Sequence, residues 1–189
     1  MTSPIAICIG HGRPVDQGAD SVTGISEESW NTGIAAKLAR ILGDRGVACQ
    51  VIGNYQGNTY GSAMRWLATQ LARIKATCAI ELHFNSSDNP RASGHEWLYC
   101  GLSPAGRKLA QCLNKSMQAA FPQLPDRGIK PLTNKDNGWG FVYGTPCPAV
   151  ICEPGFGSDA FDFELLDDHQ ETYAIALADA LIAWKGGPR

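Results

Sequence analysis

The sequence predicts an α/β protein whose single domain has a twisted, mostly parallel sheet with helices on both faces. Apolar runs of strand length alternate along the chain with longer segments of helical periodicity, which is the pattern of a layered α/β fold. The length of 189 residues suits one domain with a sizeable core. No repeat, low-complexity tract or linker interrupts this order, so we expect one domain over residues 1–189.

Five apolar runs are predicted to be strands. They are Ile5–Ile9, Val47–Ile52, Cys78–His83, Glu96–Cys100 and Ala149–Glu153. Near-continuous apolar runs of this length, rich in β-branched residues, are typical of strands that are buried on both faces of a parallel sheet.

Four longer segments are predicted to be helices: Glu27–Leu42, Gly61–Ile74, Pro104–Phe121 and Phe163–Trp184. Ser103 before Pro104 is a good start signal, since Ser is favoured at the N-cap and Pro at the first helical position. The segments Gly10–Ile25 and Pro122–Cys147 remain as long loops. Loops of this length are often functional, and in open α/β sheets the ligand site lies at the carboxyl ends of the strands.

Composition excludes several classes of function. The net charge of −2 gives no reason to expect nucleic acid or an anionic membrane as a partner. No apolar run approaches the roughly 20 residues of a membrane span. Ile5–Ile9 is too short for a signal-peptide core, so we expect synthesis in the cytoplasm without an export signal, or else removal of a leader.

The seven scattered cysteines include no CxxC pair and are interpreted as reduced and structural.

Four residues are candidates for chemistry. His11 follows the first strand between two glycines, where it could project into a site or be an ordinary loop histidine. Glu27 falls within the apolar stripe of the first helix, which carries it inward, whereas Glu28 lies at the edge of the stripe. The alternative is that both are solvated acids favoured by the helix dipole.

The other two candidates end apolar strands. His83 closes the third predicted strand, as a metal ligand or as a core histidine, and Glu81 shares its face as an acid that could support it. Glu153 ends the last strand before Pro154-Gly155, where it suits a general base, or alternatively caps a neighbouring helix.

Together these residues predict a catalytic metal site at the carboxyl edge of the sheet. Three of them end strands and the fourth begins the first helix, so they can meet at one rim. Two histidines and one carboxylate form a catalytic zinc set with an open position for water, and a further carboxylate would act as base on that water. We therefore expect Zn²⁺ as the cofactor.

At these residues the chain resembles the zinc-dependent N-acetylmuramoyl-L-alanine amidases of the amidase-3 type, found in bacterial autolysins and phage endolysins. The matching motifs run in order over nearly the whole chain: Gly10-His11-Gly12; Glu27 four residues before Asn31; His83-Phe84-Asn85; Gly94-His95-Glu96; Arg127-Gly128; and the stretch from Pro148 to Phe156, PAVICEPGF. The sequence departs from the family at Glu28, where Lys is usual, at Ile52-Gly53-Asn54, and at Glu81, where a small residue is common.

The resemblance implies that His11, Glu27 and His83 are zinc ligands and that Glu153 is the catalytic acid/base. The substrate would be peptidoglycan, cut at the amide between N-acetylmuramic acid and L-alanine by a lone catalytic domain with no separate wall-binding domain. A phage or prophage endolysin that reaches the wall after release fits best, with a secreted or periplasmic autolysin as alternative. The rival functions are a zinc peptidase or carboxypeptidase that acts on another amide, and a non-catalytic peptidoglycan-binding module.

The substrate groove could be lined by Trp139, Phe141 and Tyr143, with a core role equally open for Phe141.

Overall fold

A computed structural model of the chain describes residues 3–13 and 16–186. Within these residues there are six strands: β1 (Ile5–Ile9), β2 (Cys49–Ile52), β3 (Cys78–Leu82), β4 (His95–Cys100), β5 (Asp126–Leu132) and β6 (Ala149–Glu153). The described residues also form six helices: α1 (Glu27–Asp44), α2 (Tyr60–Ile74), α3 (Pro104–Ala120), α4 (Trp139–Gly144), α5 (Ala160–Asp168) and α6 (Gln170–Gly186).

The strands form one mixed sheet in the order β2-β1-β3-β6-β4-β5. The first four strands of this order are parallel to one another. β4 pairs antiparallel with β6, and β5 pairs parallel with β4, so these two strands run in the opposite direction. Every residue of β1 and β3 is buried, as expected for central strands covered on both faces. The predicted α/β domain with a mostly parallel sheet is confirmed.

Helices cover both faces of the sheet, as predicted. On one face, Ile80 and Leu82 of β3 pack in a core with side chains of α1, α3, α5 and α6. On the other face, Ala79 packs in a second core with side chains of α2 and α4. The alternation of side chains along each strand therefore divides the apolar residues between two layers.

Helix starts follow the expected capping chemistry. Ser103 is the N-cap of α3 and its hydroxyl accepts a hydrogen bond from the Gly106 amide at 3.0 Å, as its position before Pro104 predicted. Ser26 is the N-cap of α1. α2 begins at Tyr60, one residue before its predicted start, because Thr59 and Ser62 form a capping box there.

The prediction of a continuous loop over Pro122–Cys147 is wrong, because β5 and α4 lie within it. β5 has the sequence DRGIKPL, most of whose side chains are exposed, and it lies at the edge of the sheet. Pro131 is tolerated in an edge strand, but it removes the usual strand signal from the sequence. α4 has only six residues, too few for a helical periodicity.

The single predicted helix Phe163–Trp184 is also wrong, because α5 ends and α6 begins around His169. His169 has φ −120° and ψ 32°, outside the helical range. The Gln170 side chain donates to Asp167 Oδ1 at 2.6 Å across the break. Apolar residues continue on both sides of it, so the hydrophobic pattern alone does not reveal two helices.

All seven cysteines lie within the described residues and are free, and Cys8, Cys78, Cys100 and Cys152 are buried. Among the helices that the structure describes, none has the length and apolar content needed to cross a lipid bilayer.

Candidate active site

The candidate site lies where three adjacent strands of the sheet end. His11 follows β1 by two residues, His83 directly follows β3, and Glu153 is the last residue of β6. Because β1, β3 and β6 are parallel neighbours, these ends meet at one edge of the sheet. Glu27 reaches the same edge as the first residue of α1.

Glu27 is fixed between the two histidines. Its side chain is buried, with Oε1 2.8 Å from His83 Nδ1 and Oε2 3.4 Å from His11 Nε2. The backbone amides of Phe84 and Ala19 donate to Oε1 and Oε2 at 3.1 and 3.3 Å, respectively. A carboxylate held by this many donors has a defined position before any ligand arrives.

The structure brings His11, Glu27 and His83 close enough to hold one metal ion. One donor atom from each residue lies within 4.8 Å of the other two. Glu28 takes no part in this group, and its side chain accepts from the Thr32 hydroxyl at 3.3 Å on the outer side of α1. The inward orientation predicted for Glu27 rather than Glu28 is confirmed.

His11 is held in an unusual backbone conformation. Its φ of 57° lies in the left-handed region, which costs conformational free energy for any residue that carries a Cβ. Asp16 Oδ1 lies 2.8 Å from His11 Nδ1, and Arg13 in turn pairs with Asp16. Burial opposes ionisation of Asp16, but hydrogen bonds from Arg13 and His11 outweigh it and lower the pKa of that carboxyl to about 2. His11 thus presents Nε2 to Glu27 while Asp16 holds the other ring nitrogen.

Two glycines make room for this arrangement. A Cβ on Gly10 would lie 2.4 Å from the Leu82 carbonyl oxygen and 2.5 Å from the His83 ring. A Cβ on Gly18, whose φ is +72°, would lie 2.6 Å from Glu27 Oε2. Side chains at these positions would displace the donor atoms themselves.

His83 lies in a strongly acidic environment. Burial disfavours its charged form, but the carboxylates of Glu27 and Glu81, together with Glu153, outweigh this and raise the pKa of His83 well above its usual value. His83 Nε2 lies 3.3 Å from Glu81 Oε2, on the opposite side of the ring from Glu27. The ring is therefore placed between two carboxylates, and a cation at this position would meet a favourable field.

Glu153 ends β6 with a half-buried side chain whose Oε2 atom is buried. Its Oε2 has no hydrogen-bond partner among the described residues. Burial is the main cause that raises the pKa of Glu153 to about 8; the charge of His83 opposes this rise, and the nearby carboxylates of Glu27, Glu96 and Glu81 add to it. A carboxyl group with an unpartnered oxygen and a pKa close to neutrality can both accept and release a proton.

A polar network borders Glu153 on β4 and β5. Glu96 is the register partner of Glu153 across the β4–β6 pair. The Glu96 carboxylate accepts from Asn85 Nδ2 and from Arg127 Nε, each at 2.9 Å. The Arg127 guanidinium lies over the Phe156 ring at 5.1 Å from its centroid. Hydrogen bonds and one cation–π contact thus connect the residues near Glu153 that belong to the sequence motifs.

The other histidines lie outside the group formed by His11, Glu27 and His83. His95 is fully buried in β4, where its Nδ1 accepts from Trp97 Nε1 at 3.3 Å, and His169 ends α5 on the surface. Phe141 is fully buried in the core, whereas Trp139 and Tyr143 stack on each other at 4.5 Å with Tyr143 exposed.

Sequence reasoning did not single out Asp16 and Tyr55, which contact the site. The Tyr55 hydroxyl donates to Glu81 Oε1 at 3.1 Å. Both residues lie in irregular segments, where no periodicity assigns a direction to a side chain. The position of Asp16, two residues before Gly18-Ala19 in a glycine-rich loop, was the available signal.

Comparison with known proteins gives a family match over most of the chain. The family model described as N-acetylmuramoyl-L-alanine amidase matches residues 5–183. No curated protein sequence matches the chain significantly.

Three solved structures share the fold over almost their whole length. One is the N-acetylmuramoyl-L-alanine amidase AmiC2 of Nostoc punctiforme, with a TM-score of 0.81 and 21% identity, covering 98% of this chain and 99% of that one. The catalytic domain of the amidase CwlV from Bacillus (Paenibacillus) polymyxa var. colistinus has a TM-score of 0.80 and 23% identity, covering 96% and 98%. The catalytic domain of the CD27L endolysin, which targets Clostridia difficile, has a TM-score of 0.80 and 22% identity, covering 96% and 97%.

Proposed function

Because the chain belongs to the N-acetylmuramoyl-L-alanine amidase family, whose members are metal-dependent, we propose that it binds Zn²⁺ through His11, Glu27 and His83 and uses Glu153 as its general acid/base. The reaction of the family cleaves the amide bond between N-acetylmuramic acid and L-alanine in peptidoglycan. The observation that carries the proposal is the group of three donor atoms within 4.8 Å of one another at the carboxyl edge of the sheet.

The donor set fits zinc in chemistry as well as in spacing. Two imidazole nitrogens and one carboxylate oxygen are a common catalytic zinc set, which leaves a position open for water or substrate. The buried Glu27 carboxylate lies between the two rings, where it would meet a divalent cation at little further cost in desolvation. One carboxylate against a divalent ion leaves the site net positive.

When bound, zinc would supply Lewis acidity toward the scissile carbonyl and lower the pKa of a water molecule. Glu153 takes the proton of the attacking water and returns it to the nitrogen of the leaving L-alanine. Its Oε2 is buried and has no hydrogen-bond partner among the described residues, which leaves this oxygen free for both halves of the transfer. No covalent enzyme intermediate is required, since the water itself becomes part of the muramic acid carboxylate.

The exposed ring of Tyr143 stacks on the half-buried ring of Trp139 on α4, and the pair offers an aromatic surface for the sugar or the peptide stem. Aromatic rings provide a large apolar contact area with little conformational freedom to lose. Phe141, on the same helix, is a core residue and is excluded from this role.

The test is digestion of purified peptidoglycan followed by analysis of the products. We expect new free L-alanine amino termini without new reducing sugar ends. New amino termini of another amino acid would instead identify a peptidase, and an absence of soluble products would identify a binding module.

Glu153→Gln is the matched inactive enzyme, because it preserves size and removes the basic carboxylate. Its turnover should fall by roughly 10²–10⁴-fold while zinc stays at one per chain. A fully active Glu153→Gln enzyme would exclude the proposed base. Loss of zinc along with activity, with partial rescue by added zinc, would make Glu153 a fourth ligand instead.

For the biological setting we propose a phage or prophage endolysin that is made in the cytoplasm and acts on the wall after release. Support comes from the likeness to the catalytic domain of the CD27L endolysin. Expression in the cytoplasm of a sensitive host should leave the cells intact until the membrane is permeabilised, and then lyse them. Lysis without permeabilisation would contradict this setting and favour an exported autolysin.

A further inference from the structure

Glu81 is a carboxylate buried within the apolar layer between the sheet and α2. Only 5% of its surface is exposed. Its register partners on the adjacent strands are Cys8 of β1 and Ile151 of β6, both of which belong to the apolar core on this face. A carboxylate in such surroundings destabilises the fold unless its oxygens are bonded, so its partners are informative.

Each Glu81 oxygen has one partner. Oε1 accepts from the Tyr55 hydroxyl at 3.1 Å, and Oε2 lies 3.3 Å from His83 Nε2. Tyr55 is itself only 2% exposed, and burial, reinforced by the Glu81 charge, raises the pKa of Tyr55 well above its usual value. The tyrosine therefore stays a hydroxyl donor and fixes the carboxylate from the side away from the histidine.

The two ring nitrogens of His83 face different groups. Nδ1 lies 2.8 Å from Glu27 Oε1, while Nε2 lies 3.3 Å from Glu81 Oε2. A neutral imidazole can bind a metal only through the nitrogen that carries no proton. His83 can therefore bind the metal through Nδ1 only if its proton is on Nε2.

We propose that Glu81, anchored by Tyr55, is a positioning residue that keeps the proton of His83 on Nε2 and so leaves the Nδ1 lone pair free for the metal. The inference rests on the proposed metal site. Asp16 faces Nδ1 of His11 in the same manner, so each histidine presents its opposite nitrogen to the site. Glu81 is thereby distinguished from Glu153, whose Oε2 has no partner among the described residues and is free to handle a proton.

The first experiment compares the zinc affinity of Glu81→Gln with that of the wild type by competition with a chromogenic chelator. Gln keeps an acceptor oxygen but loses the charge that favours the Nε2 proton, and changes of this kind weaken metal binding by roughly 10–100-fold. Glu28→Gln is the control, since it makes the same chemical change outside the donor group and should bind zinc as the wild type does. Equal zinc affinity in Glu81→Gln and the wild type would overturn the inference.

A second comparison tests the anchor. Tyr55→Phe removes only the hydroxyl that fixes Glu81, and we expect zinc affinity to fall by a smaller factor than in Glu81→Gln, because the carboxylate itself remains. Tyr173→Phe is the matched control, because Tyr173 is equally buried and its hydroxyl has no partner among the described residues. The same loss of affinity in both variants would show a general packing effect and contradict the anchor.

The third measurement needs no variant and covers the case in which Glu81→Gln does not fold. Nitrogen-15 NMR of the zinc-bound wild type should show His83 protonated on Nε2 and metal-bound through Nδ1. Protonation on Nδ1 would overturn the inference while leaving zinc binding intact. A wild-type protein that binds no zinc would instead refute the proposed function, so the two failures are distinguishable.

Discussion

Glu27 and Glu28 are adjacent on α1 and carry the same side chain, yet only Glu27 is buried. The difference follows from 100° of rotation about the helix axis, which places one carboxylate against two histidines and leaves the other at the edge of the apolar stripe. The position on the helix, and not the type of residue, therefore determines which of the two glutamates lies beside the histidines.

Glu27→Ala should lose its zinc, whereas Glu28→Ala should retain one zinc per chain. Elemental analysis of both variants after gel filtration in the presence of a weak chelator measures this. Equal zinc content in the two variants would contradict the ligand assignment, and loss in Glu28→Ala alone would reverse it.

Glu153 should destabilise the zinc-free fold as pH rises. Its pKa is about 8 in the folded protein against an ordinary value of 4.5, so the folded state holds a proton that the unfolded state releases between these values. Stability is therefore lost from about pH 4.5 upward, by up to about 1.4 kcal/mol per pH unit, until the group ionises in the folded state as well.

Glu153→Gln, which cannot ionise, should consequently be more stable than the wild type in zinc-free buffer at pH 8, with the difference vanishing near pH 4. Urea unfolding across this range measures the two free energies. A difference that is independent of pH, or that grows toward low pH, would show that Glu153 is not held in its neutral form. Bound zinc favours the carboxylate and should reduce the difference.

That the candidate site residues meet at one edge of the sheet could be predicted from the sequence, because they lie at or near the ends of elements with a clear pattern. His83 and Glu153 close apolar strands, and Glu27 begins an amphipathic helix. Tyr55 and Asp16 could not be predicted, because they lie in irregular segments where only the tertiary structure determines the direction of a side chain. β5 was missed for a related reason: an exposed edge strand needs no apolar alternation.

The loop between β1 and α1 determines how closely Glu27 and His11 approach each other. Gly18 and Gly24 both have positive φ, at 72° and 79°, but their surroundings differ. A Cβ on Gly18 would contact Glu27 Oε2 at 2.6 Å, whereas nothing lies within 4 Å of one on Gly24.

Gly18→Ala and Gly24→Ala should each lose about 1 kcal/mol of stability from the left-handed backbone, but only Gly18→Ala should also lose zinc affinity and activity. Thermal unfolding and zinc competition on the same preparations separate the two effects. If Gly24→Ala lost zinc to the same extent, the loop would act through its backbone and not through contact with Glu27.

Zinc should stabilise the entire fold, because the three proposed donors meet only after the sheet has formed. An ion that binds the folded state alone adds RT ln(1 + [Zn]/Kd), or about 4 kcal/mol at a free concentration 1,000 times Kd. Chelation should therefore lower the melting temperature of the wild type. The same treatment should leave Glu27→Ala unchanged, and a chelator effect of equal size on that variant would place the stabilising ion elsewhere.

β1, β3 and β6 are neighbours in the sheet, although His11, His83 and Glu153 are separated by about 70 residues at each step along the chain. Contacts between residues this far apart in the sequence form late in folding, because the chain must lose loop-closure entropy before such contacts can stabilise it. The proposed metal ligands His11 and His83 should thus still be apart in the rate-limiting transition state. Zinc should therefore stabilise the native state without stabilising the transition state. In stopped-flow experiments it should slow the unfolding rate severalfold while leaving the refolding rate of the chain nearly unchanged.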